Sequence, residues 1–228
     1  MKYPSTKTAG LRSVLTALLL SLLLLSCATG RSGSLAGPPV KPDSAGEGSL
    51  SPVQRDLVES AGWALGQSRL KVKDRNFNLD CSGVVLAIYY RAGIDLTSSL
   101  GGYSGGGVQR LYSYLMDHNL LYLPARPVPG DLLFWDNTYD KNSDGRQNDE
   151  LTHVGMVVSV NREGTVEYIH HNYRKGIVLA SMNLLDPDNL AVNSPMRMKS
   201  SEPGHAPRWL SSHLLRDAGR AYELTEID

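Results

Sequence analysis

The chain has 228 residues, of which 41% are hydrophobic and 20% are charged, with 23 basic and 23 acidic side chains. This composition is typical of one ordinary globular domain with accessory segments. The formal net charge of zero gives no reason to expect a nucleic-acid partner or any other polyanionic partner.

The N-terminal segment predicts export. Three basic residues precede a leucine-rich run over residues 14–25, which is short for a membrane span and is followed by small and polar residues. The run ends Leu24-Leu25-Ser26-Cys27, which resembles the lipobox of bacterial lipoproteins. The resemblance implies that residues 1–26 are a cleaved signal peptide and that Cys27 carries lipid. A simple secretory signal with a chance cysteine is the alternative.

The expected location follows from this lipid. Several acyl chains on Cys27 would anchor the protein firmly to a membrane. We expect an exported, membrane-anchored lipoprotein on the periplasmic side, at the outer membrane if the source has two membranes, because Ala28 lacks the aspartate that often retains lipoproteins in an inner membrane.

The elements after the anchor predict the α+β class. Residues 27–52 are rich in Gly, Ser, Pro and Ala, which predicts a flexible tether. Apolar spacing and turn residues then predict helices followed by an antiparallel sheet, with weak signals near the C-terminus. The predicted helices cover residues 53–66, 81–92, 108–118 and, less regularly, 210–222; the predicted strands cover residues 132–135, 153–160, 165–171 and 176–182.

The second cysteine lies at the start of the second predicted helix, in Asp80-Cys81-Ser82-Gly83. Unpaired backbone N–H groups and the positive end of the helix dipole meet there, which predicts a lowered thiol pKa and a nucleophile. An inert buried cysteine is the alternative. Because the chain has two cysteines and lipid would occupy Cys27, Cys81 has no disulfide partner within it, which favours a functional thiol.

A nucleophilic cysteine needs a base, and the base needs an orienting partner. His153 opens a predicted strand directly after a loop, where functional side chains are often presented. If residues 161–164 form a four-residue hairpin loop, His170 lies on the same face, diagonally across from His153. A bulge in the hairpin would select His171 instead.

Four motifs together resemble the NlpC/P60 family of cysteine peptidases. They occur in the family's order over about residues 53–182: Asp80-Cys81-Ser82-Gly83, Pro129-Gly130-Asp131-Leu132-Leu133-Phe134-Trp135, His153-Val154-Gly155-Met156-Val157-Val158 and Tyr168-Ile169-His170. The resemblance implies a papain-like α+β core in which N-terminal helices, including the cysteine helix, pack on an antiparallel sheet. It also implies hydrolysis of peptide bonds in the stem peptides of bacterial peptidoglycan, usually the bond between D-γ-glutamate and a diamino acid.

The same resemblance implies roles for individual residues. Cys81 is expected to be the nucleophile, His153 the general base and acid, and His170 the orienting residue, while Asp80 and Ser82 help line the substrate cleft. We expect a catalytic domain over residues 53–228, with a core to about residue 182 and an extension over 183–228. We also expect a monomer that needs no cofactor.

One departure from the family pattern leaves the substrate open. A Tyr-x-x-Gly-Gly segment often precedes the cysteine motif, and residues 64–70 lack its tyrosine. An amidase or acyl transferase with the same thiol chemistry is therefore an alternative, and a non-catalytic wall-binding lipoprotein is another. The cysteines and histidines show no CxxC or HxxxH spacing, so zinc has no support.

An insertion between two predicted strands raises the question of calcium. Asp140, Asn142 and Asp144 have the D-x-N-x-D-G spacing of a calcium loop, in which oxygen ligands alternate along the chain. Leu151 stands where the closing acidic ligand is expected. A polar surface loop is the favoured interpretation, and a structural calcium ion is the alternative.

Overall fold

The computed structural model describes residues 50–199 and 206–226. The predicted signal peptide, the lipidation site Cys27 and nearly all of the predicted tether lie outside these residues. The helices are α1 (Pro52–Ala64), α2 (Cys81–Arg91), α3 (Gly107–Asp117) and α4 (Ser211–Leu214). The strands are β1 (Leu70–Val72), β2 (Arg75–Phe77), β3 (Leu121–Tyr122), β4 (Leu132–Trp135), β5 (His153–Val160), β6 (Thr165–Asn172), β7 (Gly176–Asn183) and β8 (Leu215–Gly219).

A six-stranded antiparallel sheet with the order β3-β8-β4-β5-β6-β7 forms the centre of the fold. Helix α2 packs against β5 and β6, and α1 and α3 pack against α2. The predicted α+β class, with the cysteine helix on an antiparallel sheet, is confirmed. This arrangement brings the first turn of α2 next to the first residues of β5.

Both faces of the sheet are buried. On the helical side, apolar residues of the helices and strands form one large cluster, with Val84, Ile88 and Met156 fully buried in it. On the other side, Trp135 and Tyr168 pack in a second cluster with residues from α4 and β8. Burying a large apolar side chain stabilises the fold by about 1.5–3 kcal/mol, so each cluster holds the sheet from its own side.

Helix α1 has a well-defined beginning. The hydroxyl of Ser51 accepts a hydrogen bond from the backbone N–H of Gln54 (3.3 Å), and the Gln54 side chain accepts one from the backbone N–H of Ser51 (3.0 Å). Pro52 occupies the first turn, where its missing N–H costs nothing. Ser51 and Pro52 thus belong to the helix start rather than to the predicted tether.

The stretch between α1 and α2, for which no helix or strand was predicted, contains the hairpin β1–β2. Leu70 pairs with Phe77, and Leu70 and Val72 are buried against α2. Lys73 adopts a left-handed conformation (φ 52°) at the turn. Each strand is only three residues long, too short for its sequence to show a clear periodicity, and packing against α2 orders the hairpin.

The helix predicted over residues 210–222 is wrong. Helix α4 contains only four residues, and the chain then enters β8, which pairs with β3 on one side and β4 on the other. Ala218 is fully buried opposite Leu133. Pairing within the sheet overrides the local helical preference, and residues beyond 182 thereby provide an inner strand of the domain.

The described residues contain no helix that is both long enough and apolar enough to cross a bilayer.

We expect Leu214→Ala to lower the free energy of unfolding by about 2–5 kcal/mol, because Leu214 is only 2% exposed in the second apolar cluster. Leu190→Ala is the matched control, since Leu190 is 63% exposed, and it should change stability by at most about 0.5 kcal/mol. Urea unfolding of both variants measures the difference. Equal effects would show that the C-terminal segment adds nothing to the core.

Candidate active site

Asp80 fixes the position of Cys81 at the first residue of α2. One oxygen of its side chain, Oδ1, accepts hydrogen bonds from the backbone N–H of Gly83 (2.7 Å) and from the hydroxyl of Ser82 (2.8 Å). This is an N-cap, which satisfies one of the free N–H groups of the helix start. The half-buried thiol is therefore held on the first turn.

The sulfur of Cys81 faces the beginning of β5. Backbone N–H groups of Val154, Ser82 and Cys81 itself act to lower the thiol pKa, but burial has the larger effect and raises it, and the charge of Asp80 adds to the rise. The predicted lowering of the thiol pKa is thus wrong for the free protein, because loss of hydration outweighs the helix start.

The structure places His153 and His170 together. Nε2 of His153 lies 2.9 Å from Nδ1 of His170, and the two rings meet nearly edge to face with centroids 5.1 Å apart. Gly155 permits this approach, since a Cβ there would lie 2.8 Å from the carbonyl oxygen of Ile169 and 3.3 Å from Cβ of His170.

The register of the β5–β6 hairpin differs from the predicted one, although it also places His170 against His153. Val160 pairs with Val166 rather than with Thr165, so five residues (161–165) rather than four lie between the paired positions, and the extra residue is on the β6 side. A bulge between Val157 and Ser159 then shifts the register, and Met156 pairs with Ile169. The two departures cancel, so His170 rather than His171 faces His153.

Burial also controls the charge of the histidine pair. Loss of hydration, together with the positive charges that His170 and His171 would carry, lowers the pKa of His153 to about 3. The same causes, burial first and then His171, lower the pKa of His170 to about 4. Both rings are therefore neutral at pH 7, and His153 can accept a proton.

An aromatic layer supports the two histidines. Trp135 is fully buried with its ring centroid 5.9 Å from that of His153, and Tyr168 lies 5.4 Å from His170. The indole Nε1–H of Trp135 donates to the carbonyl oxygen of Ser211 (2.8 Å). The first residue of α4 thus fixes the indole ring that packs against His153.

A cleft of about 490 Å³ lies beside the first turn of α2. Its walls include Asp80 and Ser82, which flank Cys81, and the glycine-rich segment 105–107 that leads into α3. A Cβ at Gly107 would lie 2.2 Å from the hydroxyl oxygen of Ser82, so only glycine allows this close contact. Asp80 and Ser82 therefore lie in the wall of a cleft, and their contact with substrate stays a prediction.

The same cleft contains a residue that the sequence did not single out. Arg110 lies in its wall, on the first turn of α3. In the sequence, Arg110 lies in a helical stretch with an apolar face, which indicates a solvated surface cation. It lines the cleft only because α3 packs beside α2.

Hydrogen bonds join the two ends of the insertion between β4 and β5, which we call its neck (residues 136–138 and 151–152). The backbone N–H of Thr138 donates to the hydroxyl of Thr152 (2.9 Å), and that of Leu151 donates to Asp136 (2.8 Å). These hydrogen bonds fix the position of Leu151 and Thr152, the two residues that precede His153. Asp149 is buried nearby, and its Oδ2 has no hydrogen-bond partner among the described residues.

Tyr139, directly after this neck, also lies near the thiol. Burial raises the pKa of its hydroxyl, and the charges of Cys81 and Asp149 raise it further. It was not predicted, and its only sequence signal is an aromatic residue close to the strand that carries Trp135.

The acidic residues of the insertion bond within their own loop. Asp140 accepts from the backbone N–H of Gly145 (2.8 Å), and Asp144 accepts from that of Arg146 (2.8 Å). Asn142 accepts from the backbone N–H of Asp144 (3.0 Å). Across the described part of the chain, no group of three or more His, Cys, Asp or Glu side chains could hold a metal ion.

The model of the NlpC/P60 family matches residues 63–186, more than half of the chain. The chain therefore belongs to the NlpC/P60 family, as its motifs predicted, and membership indicates a cell-wall peptidase or hydrolase. No curated protein and no solved structure matches the chain.

We expect the free energy of unfolding to fall as the pH drops from about 6.5 to 5. In this range the unfolded chain protonates His153 and His170, whereas their pKa values of about 3 and 4 keep them neutral in the folded protein. Each histidine contributes a slope of up to about 1.4 kcal/mol per pH unit. Urea unfolding at several pH values measures it.

The control is a comparison of slopes. The double variant His153→Gln with His170→Gln should flatten the dependence, whereas His118→Gln, at the C-terminal end of α3, should keep it. A slope that survives in the double variant would contradict the assignment.

Proposed function

We propose that this NlpC/P60 protein is a cysteine peptidase that hydrolyses a peptide bond in peptidoglycan stem peptides during cell-wall remodelling. The bond between D-γ-glutamate and a diamino acid is the proposed target. One observation carries the proposal: the Cys81 thiol on the first turn of α2 faces the start of β5, where His153 is hydrogen-bonded to His170.

The first step is attack by the thiol. Since Nε2 of His153 is engaged by His170, Nδ1 remains to accept the proton of Cys81. The raised thiol pKa and the lowered histidine pKa keep this proton on sulfur in the free protein. We infer that it moves to His153 as the sulfur bonds to the scissile carbonyl carbon.

The remaining steps use the same groups. Backbone N–H groups at the start of α2 stabilise the negative charge on the carbonyl oxygen. His153 then gives its proton to the leaving amine, the C–N bond breaks, and a thioester to Cys81 remains. A water molecule, deprotonated by His153, hydrolyses that thioester. His170 keeps His153 in the required tautomer throughout, as the third member of a triad does.

A second candidate function is supported by a specific departure from the family pattern. The tyrosine of the Tyr-x-x-Gly-Gly segment is missing from residues 64–70, so the cleft differs from that of members that carry it. An amidase or acyl transferase would use the same Cys81 thioester with a different acyl group or acceptor. A non-catalytic wall-binding role has less support, because Cys81, His153 and His170 are all present.

We also propose that the protein is anchored to a membrane through lipid on Cys27, with the tether predicted from residue 27 onwards joining the lipid to the helix start at Ser51. The lipobox-like sequence supports this anchor. The proposed partners are therefore a membrane and the stem peptides of the wall, and the mechanism needs neither a metal ion nor a cofactor.

We expect Cys81→Ala to abolish cleavage of purified muropeptides, because no other group in the proposed mechanism can form the thioester. Mass spectrometry of the products, for wild type and variant, identifies the bond that gains water. A different mass change that also requires Cys81 would support the amidase or acyl transferase. No Cys81-dependent product would contradict both candidates.

We expect His170→Ala to lower kcat/KM by about 100-fold or more, because His153 would lose the partner that fixes its tautomer. His171→Ala is the matched control on the same strand and should change kcat/KM by no more than about threefold, since neighbouring side chains on a strand point to opposite faces. Steady-state kinetics on a stem peptide decides. The reverse pattern would assign the orienting role to His171.

A further inference from the structure

The cleft is lined by Asp80 and Ser82, the two residues that flank Cys81, whereas Cys81 itself is not part of its lining. Its lining contains neither His153 nor His170. His153 protonates the leaving amine in the proposed mechanism, so the amine side of the substrate lies towards β5. The acyl side, which stays bonded to Cys81 in the thioester, then lies towards the cleft. This inference rests on the proposed function.

Two charged side chains line the cleft, Asp80 and Arg110. Asp80 already caps α2 through Oδ1. Arg110 donates through Nε to the carbonyl oxygen of Gly105 (2.9 Å), which orients its guanidinium group. Arg110 forms no ion pair with any residue in the described ranges 50–199 and 206–226. An oriented cation without an acidic partner therefore borders the space for the acyl group.

The acyl group of the proposed substrate carries a matching charge. A glutamate that is linked through its γ-carbonyl keeps a free α-carboxylate, separated from the scissile carbonyl by a short carbon chain. A guanidinium group binds a carboxylate through two parallel hydrogen bonds, a geometry that lysine cannot reproduce.

We propose that Arg110 is a specificity residue that binds this free α-carboxylate. The protein then favours stem peptides whose γ-linked D-glutamate is unmodified over those in which the α-carboxylate is amidated to isoglutamine. Amidation removes the charge and one acceptor oxygen, and it leaves the guanidinium group opposite a neutral group that cannot form the same pair.

A matched pair of peptides tests this proposal. L-Ala-γ-D-Glu-diaminopimelate and its isoglutamine counterpart differ only at the α-carboxyl group. The full-length chain, purified in detergent, should cleave the first with a higher kcat/KM. Arg110→Gln should lower kcat/KM for the carboxylate peptide by about 10- to 100-fold, the loss expected for a charge-assisted hydrogen bond, and should change the value for the isoglutamine peptide by less than about threefold.

Two further variants separate recognition from structure. Arg110→Lys keeps the charge without the planar fork and should retain part of the preference for the carboxylate peptide. Arg162→Ala removes an exposed cation in the β5–β6 loop and should leave both rates unchanged. Circular dichroism of each variant checks that the fold is intact.

Equal loss of both activities in Arg110→Gln would overturn the proposal, because it would show that Arg110 only holds the glycine-rich segment in place. Equal cleavage of the two peptides by the wild type would also overturn it, while the proposed peptidase function stands. A wild type that cleaves neither peptide would overturn the proposed function and this specificity with it.

Discussion

The cap that Asp80 places on α2 is the constraint on which the rest of the site depends. It fixes the turn that carries Cys81, and its second hydrogen bond holds Ser82 in the wall of the cleft. The turn also needs glycine at position 83, where a Cβ would lie 2.0 Å from the carbonyl oxygen of Asn78. The backbone that follows the β1–β2 hairpin can therefore pass this close to the cysteine helix only because residue 83 is glycine.

Burial determines the protonation states of the site residues in the free protein. It favours the neutral forms of Cys81, His153 and His170, so the free protein contains neither a thiolate nor an imidazolium at this site at pH 7. A buried, protonated thiol reacts slowly with oxidants, because the thiolate is the reactive species. In the proposed mechanism, charge therefore develops only once a carbonyl group is in reach of the sulfur.

The sequence predicted the elements with strong periodicity and missed those that depend on partners. Strands β4 to β7 and the first three helices lie close to their predicted bounds, since their apolar residues recur at strand or helix spacing. His170 lies against His153 as predicted, although the loop and the bulge both differ from the assumed hairpin. Strand β8, Tyr139 and Arg110 were missed, because their places are defined by segments distant in the chain.

Strand β8 makes assembly of the sheet depend on a late part of the chain. It lies between β3 and β4, and the segment just before it holds Trp135 beneath His153. Until residues 211–219 have been synthesised, β3 and β4 have no shared neighbour and His153 rests on an unsupported ring. The inner part of the sheet and the ring beneath His153 therefore both depend on residues 211–219, which lie far along the chain from the strands that they join.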